Sequence, residues 1–106
     1  MAVSKKLIKE IKEHVSIVDL ANEYFQVTSK NRYLGISGDA PDGGDFSSLV
    51  IYPDSNSFFR MSTRRGGDVI SFVQETGIEN INTFKEAVDF LRGRIDPEFK
   101  VELKKI

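Results

Sequence analysis

Cysteine is absent from this 106-residue chain, which excludes a disulfide framework and any thiolate metal site. Histidine occurs once, as His14, and no serine–histidine or similar nucleophile pairing is evident. No apolar run approaches the roughly 20 residues needed to span a bilayer. Met1 to Lys6 lead into an amphipathic pattern with neither a signal-peptide core nor a cleavage-like site, so a cytoplasmic protein without membrane association is expected. Charge of one sign is also missing. Fifteen Lys and Arg against sixteen Asp and Glu leave a net charge of −1, which excludes a chain-wide electrostatic affinity for nucleic acid. Such a function has to use a local patch. Internal repeats and low-complexity tracts are absent too.

The length suits one domain with a modest core. Leu7, Ile8, Ile11 and Val15 recur at helical spacing, with lysines and glutamates on the other faces. Ser16, three residues ahead of Asp19, predicts the N-cap of a second helix, whose apolar stripe is Ile17, Leu20, Ala21 and Tyr24. His14 falls at the junction and reads as a helix-end residue. From Gln26 to Thr63 short strands alternate with turn residues. Phe25–Thr28 and Tyr33–Ser37 flank a turn at Ser29–Arg32 that carries two basic side chains, Lys30 and Arg32. Gly38–Asp45 is an acidic, glycine-rich loop without the closing glutamate that an EF-hand calcium loop needs. Leu49–Tyr52 and Ser57–Thr63 are read as antiparallel partners across the turn Pro53–Asn56.

Alternation along the last of these strands puts Phe59, Met61 and Thr63 on one face, suited to a core. Phe58, Arg60, Ser62 and Arg64 take the other face, a mixture of aromatic and basic groups of the kind that stacks bases and follows phosphates. The same composition equally fits an exposed sheet face with one packed phenylalanine. Gly66-Gly67 then turns the chain into a third helix that carries Val69, Ile70, Phe72 and Val73 and stops at Gly77. This corner is either an anion site at a helix start or a strand-to-helix turn with solvated arginines, and an acid at Asp68 competes with a bound anion there. Thr83-Phe84-Lys85-Glu86 is a capping box that opens a fourth helix in which Phe84, Ala87, Val88 and Leu91 recur at helical spacing, ended by Gly93. The tail, 94–106, is read as a final strand or a linker. The expected fold is α+β, a small antiparallel sheet flanked by two N-terminal and two C-terminal helices.

Four stretches in this order carry a resemblance to a known family. They are Ile11–Leu20 with Glu23-Tyr24, the strand Tyr33–Ile36, the run Gly66-Gly67-Asp68-Val69-Ile70-Ser71-Phe72-Val73, and the helix start Thr83–Val88. Together they resemble, over about residues 8–92, the zinc-binding N-terminal domain of bacterial and phage DNA primases. The resemblance implies a zinc-ribbon-like sheet in a domain spanning 1–93. That family holds zinc through a Cys and a His after the first strand and two Cys before Gly-Gly-Asp. Carried over, those ligands fall at Ser37, Ala40, Arg60 and Thr63, none of which is a normal zinc ligand. A degenerate, zinc-less copy without cofactor is therefore expected. Its sheet would be stabilised instead by Ile36, Leu49, Ile51, Phe59 and Met61, and by an ion pair of Arg60 with a loop aspartate such as Asp39.

The resemblance further implies a non-catalytic accessory module of DNA replication that binds single-stranded DNA template, with any catalytic primase domain elsewhere. The expected contacts are Lys30, Arg32, Tyr33, Phe58, Arg60, Ser62, Arg64 and Arg65. With five basic residues among them, binding is expected to be weak and salt-sensitive. The other reading is a protein-interaction adaptor that docks on a helicase, primase or polymerase, favoured by the near-neutral charge. A diverged copy of this kind fits a phage or another mobile genetic element.

Overall fold

A computed structural model describes residues 5–30 and 32–95, with the side chain of Lys30 also outside that set. The first helix, α1 (Lys5–His14), and the second, α2 (Ile17–Tyr24), meet at a sharp corner. Ser16 makes that corner, as its Oγ accepts the Asp19 N–H at 3.2 Å and so satisfies one of the free amides at the start of α2. His14 ends α1 as expected.

A five-stranded antiparallel meander follows, β1 (Gln26–Lys30), β2 (Tyr33–Ser37), β3 (Leu49–Tyr52), β4 (Ser57–Arg60) and β5 (Arg65–Gly67), with each strand beside its sequence neighbours. β1 runs two residues further than expected, so its hairpin turn is tight, with Lys30 opposite Tyr33. β4 stops at Arg60, earlier than expected. Met61–Arg64 form a turn closed by Arg64 N–H to Met61 O at 3.3 Å, with Arg64 in the left-handed region at φ 57°. The glycine pair is itself the middle and end of β5. Gly66 lies opposite Phe59, where a Cβ would stand 2.6 Å from the Phe58 carbonyl oxygen and 2.8 Å from the Phe59 ring. No other residue fits that place without displacing one or the other.

Asp68 then caps α3 (Val69–Thr76), its Oδ1 accepting the Ile70 and Ser71 amides at 2.9 and 3.1 Å. Gly77 ends α3 in the left-handed region, as expected. Thr83 and Glu86 form the reciprocal capping box of α4 (Phe84–Ile95). α4 continues through Gly93 instead of ending there, and residues 96–106, where a last strand or linker was expected, lie outside the described residues.

All four helices contribute to a core on one face of the sheet. Ile11, Ile17, Leu20, Phe72, Val73 and Leu91 pack with Leu49, Ile51 and Phe46, all at most 1% exposed. The side of β3 that faces this core is Leu49 and Ile51. Register places Arg60 opposite Leu49 and Phe58 opposite Ile51, so Phe58 and Arg60 also point inward. The expected facing of β4 is thus reversed. Phe58 is 3% exposed, with its ring 5.4 Å from Phe72 in an edge-on contact. Phe59 and Met61, expected in the core, are exposed. Of the residues expected to hold the sheet without metal, Ile36, Leu49 and Ile51 are buried and these two are not.

One cross-connection was not legible as such. Asn56, in the left-handed region at φ 52°, reaches from the β3–β4 turn into the α1–α2 corner. Its Oδ1 accepts the Ile17 N–H at 2.8 Å, and its Nδ2 donates to the Lys12 and Val15 carbonyls at 3.1 and 2.9 Å.

Candidate nucleic-acid interface

With the helices on one side, the other side of the sheet is open. Tyr33 on β2 and Tyr52 on β3 meet there edge-on at 6.3 Å, and Phe59 on β4 lies one step diagonally along. Their exposures of 37%, 40% and 36% are high for aromatic side chains of a small domain. Val50, opposite Phe59, floors the gap, and Gly66 keeps β5 low beside the Phe59 ring. Met61, 60% exposed, follows at the start of the β4–β5 turn. Three aromatic faces on neighbouring strands form a platform of the kind on which unpaired bases stack.

The cations stand at the two ends of this platform. Arg32 is exposed at the tip of the β1–β2 hairpin beside Tyr33. Arg64 and Arg65 are exposed at the β4–β5 turn, at the opposite end, where Arg65, paired with the inward-pointing Arg60, lies on the α3 side of the sheet. Arg65 is only loosely engaged, with Nη1 3.9 Å from Glu75 Oε1 and a side chain 76% exposed. Ser62 is exposed in the same turn, held by its amide to Ser48 Oγ at 3.0 Å. Of the expected contact residues, Arg32, Tyr33, Ser62, Arg64 and Arg65 are therefore on the surface. Phe58 and Arg60 are withdrawn into the interior by the register of β4, and the Lys30 side chain lies outside the described residues. Tyr52 and Phe59 were missed. The run Phe58-Phe59 allows either parity, and the exposed face shows only once the partner strand is known. The anion position at the start of α3 is filled by the carboxylate of Asp68 itself.

Arg60 has a different place. It is 2% exposed. Its Nη1 and Nη2 grip Asp42 Oδ2 and Oδ1 at 3.0 and 3.2 Å, a forked pair. Nη1 also meets Glu75 Oε2 on α3 at 2.9 Å, and Nη2 donates to the Asp45 carbonyl at 3.1 Å. The guanidinium lies 5.4 Å from the centre of the Phe46 ring. Thr63 Oγ1 donates to the same Glu75 Oε2 at 3.1 Å. The partner is thus Asp42 and not Asp39, which instead bridges through its backbone to Asp45. The turn Ala40–Gly44, closed by Ala40 N–H to Gly44 O at 2.8 Å, aims Asp42 at the guanidinium. The Arg60 hydrogen bonds, helped by the Gly44 amide, hold the Asp42 carboxyl below its usual range. Asp45 is also lowered, chiefly by the Ser47 hydroxyl and amide. Asp42 in turn raises Arg60 above its already high value.

The CHC2 zinc finger family profile matches residues 3–105. The chain belongs to the CHC2 zinc finger family. The DNA primases of Staphylococcus aureus strains COL and MRSA252 are each 30% identical to it over 104 residues, covering 96% of this chain and 16% of theirs. The chain therefore spans about a sixth of the length of these relatives. A crystal structure of the Aquifex aeolicus primase, containing its zinc-binding and RNA polymerase domains, is 27% identical with a TM-score of 0.64. That likeness covers all of this chain and 24% of the other. The chain is thus a relative of the primase zinc-binding domain, with a role related to DNA primase.

The zinc that the family's name implies does not fit the residues present. The chain has no cysteine, and the positions expected for the four CHC2 ligands carry a hydroxyl at Ser37, a methyl at Ala40, a cation at Arg60 and a hydroxyl at Thr63. Zinc in structural sites is held by thiolate and imidazole donors. The described residues contain no group of three or more His, Cys, Asp or Glu able to hold a metal ion. Nor, among them, is any helix long and apolar enough to cross a membrane.

Proposed function

We propose that this CHC2 domain is a non-catalytic accessory module of DNA replication that binds single-stranded DNA template across the open face of its sheet. The observation that carries this reading is the exposed row Tyr33, Tyr52 and Phe59 with arginines at both ends. Bases stack on the aromatics without regard to sequence, while Arg32, Arg64 and Arg65 neutralise phosphates. Ser62 adds a hydroxyl at the turn, and Lys30, the last residue of β1, is a further candidate cation. The module supplies template contact and no chemistry, which belongs to a catalytic primase domain elsewhere. Phosphoryl transfer requires carboxylates clustered around metal ions, whereas Asp42 is engaged by Arg60 and Asp45 by Ser47. A cytoplasmic setting in a phage or other mobile element accords with this role.

The test is fluorescence anisotropy of a labelled oligo-dT at low salt. With three arginines in contact, the slope of log affinity against log salt is about −2, so each doubling of salt weakens binding roughly fourfold. Phe59→Ala loses one stacking partner, worth about 1–3 kcal/mol, or roughly 5- to 150-fold in affinity. Unchanged affinity in Arg64→Ala/Arg65→Ala, with the fold intact by circular dichroism, defeats the proposed face.

A second reading, an adaptor that docks on a helicase, primase or polymerase, is favoured by Met61, the most exposed large apolar side chain among the described residues, and by the net charge of −1. Pull-downs with these three purified proteins, run beside the oligonucleotide titration, separate the two readings. Partner capture lost in Met61→Ser with no oligonucleotide affinity favours the adaptor.

A further inference from the structure

The family's metal does not fit this chain, yet two of the positions expected for its ligands meet at one point. Arg60 and Thr63 both bond Glu75 Oε2, and Arg60 also grips Asp42, two residues beyond Ala40. Three separate pieces of chain converge there. They are the end of β4 with its following turn, the loop between β2 and β3, and α3. A structural metal ties together segments that a small domain cannot otherwise hold, and its binding energy is folding energy.

We infer that the buried Arg60 guanidinium, clasped by Asp42, the Asp45 carbonyl and Glu75, has taken over the fastening role of the zinc, leaving a CHC2 domain that folds and functions independently of metal. The geometry supports a central cation better than a chance surface pair. Asp42 binds in a fork, Glu75 comes from a helix 15 residues away, the Asp45 carbonyl takes a third hydrogen bond, and Phe46 covers the guanidinium. Gly44 sits at the rim, where an added Cβ would stand 3.4 Å from Nη2. Nε is the one Arg60 nitrogen with no acceptor among the described residues. The site is also inverted in charge. Zinc is a cation held by anionic thiolates on both ribs of the ribbon, whereas here one rib supplies the cation and the loop and α3 supply the anions. A site of this kind is indifferent to chelators and offers no thiol to oxidants, an advantage wherever zinc is scarce or conditions are oxidising.

A lone surface ion pair contributes little to stability, but removing one member of a buried cluster leaves the other charge uncompensated. This difference supplies the test. Thermal unfolding is measured by circular dichroism on the full chain, with and without excess EDTA, together with the zinc content of the purified protein. The expected result is an unfolding midpoint unchanged by EDTA and less than a tenth of an equivalent of zinc. Arg60→Met, which retains the stem but not the charge, is expected to lower the midpoint by roughly 10 °C or more. Glu75→Gln in the Arg60→Met background is expected to recover part of that loss, because the stranded carboxylate is gone. Should Arg60→Met fail to fold, Glu75→Gln and Asp42→Asn alone read the same cluster, each with an expected loss of several degrees. The inference is overturned by stoichiometric zinc, by an EDTA-induced drop, by single variants as stable as wild type, or by additive Arg60 and Glu75 effects.

Discussion

Replacing Asn56 tests how the strand ribbon is tied to the N-terminal helices. Its side chain makes three hydrogen bonds, one from the Ile17 amide and two to the Lys12 and Val15 carbonyls, all between 2.8 and 3.1 Å. Each such bond contributes about 1 kcal/mol net to stability. Its backbone is left-handed at φ 52°, which costs an ordinary L-residue roughly 1–2 kcal/mol and asparagine less. Asn56→Ala is therefore expected to cost about 3–4 kcal/mol. That is a large fraction of the 5–15 kcal/mol typical of a domain, and at about 4–8 °C per kcal/mol it lowers the unfolding midpoint by roughly 12–32 °C. Two companion variants separate the contributions. Asn56→Gly relieves the backbone strain and keeps none of the bonds, so it should be about 1 kcal/mol more stable than the alanine variant. Asn56→Asp keeps the acceptor for Ile17 but turns a carboxylate oxygen toward two carbonyls, so it should be no better than alanine at neutral pH. Urea unfolding followed by circular dichroism gives all three values. A loss below about 1 kcal/mol in Asn56→Ala, or aspartate as stable as asparagine, refutes the role assigned to this side chain.

Two further outcomes concern the sheet face and the alkaline limb of stability. Gly66→Ala forces a Cβ to within 2.6 Å of the Phe58 carbonyl oxygen and 2.8 Å of the Phe59 ring, so it should destabilise by about 1–3 kcal/mol and weaken oligonucleotide binding as Phe59 is displaced. Unchanged stability and affinity would show that β5 is not seated against Phe59. Tyr24 is pushed up to about 12, first by burial and then by its hydrogen bond to Glu79 at 2.9 Å. A raised folded value stabilises the protein fully below the unfolded tyrosine value near 10, and that stability is lost as pH rises through about 12. Between those limits the midpoint of wild type should fall more steeply than that of Tyr24→Phe, and parallel curves would remove the Glu79 bond from the account.

Much of the architecture was legible because its signals are local. Ser16, Asp68 and Thr83 each satisfy amides two or three residues away, so three helix starts stand in the sequence itself. The turn Pro53–Asn56 and the stop at Gly77 are equally local. The candidate interface was only half legible. Arg32, Tyr33, Ser62, Arg64 and Arg65 lie on turns or at strand ends, where exposure follows from position. Phe58-Phe59 presents apolar side chains to both faces, so no count along β4 tells which phenylalanine is inward. Arg60 looked like a surface cation because its partners, Asp42 and Glu75, are 18 and 15 residues away and approach only in the folded chain.

What the sequence alone determined is the α+β order of elements, the kinship with primase zinc-binding domains, and the absence of any cysteine to serve as a thiolate ligand. These properties reside in residue identity and short spacing, and both survive without a fold. Tertiary structure alone decided the facing of β4, and with it the exchange of roles between Arg60 and Phe59. Register against β3 fixes that facing, since a strand shifted by one residue turns every side chain over. The arginine that seemed to await a phosphate is locked among carboxylates in the interior, and the phenylalanine that seemed to belong to the core lies open beside two tyrosines.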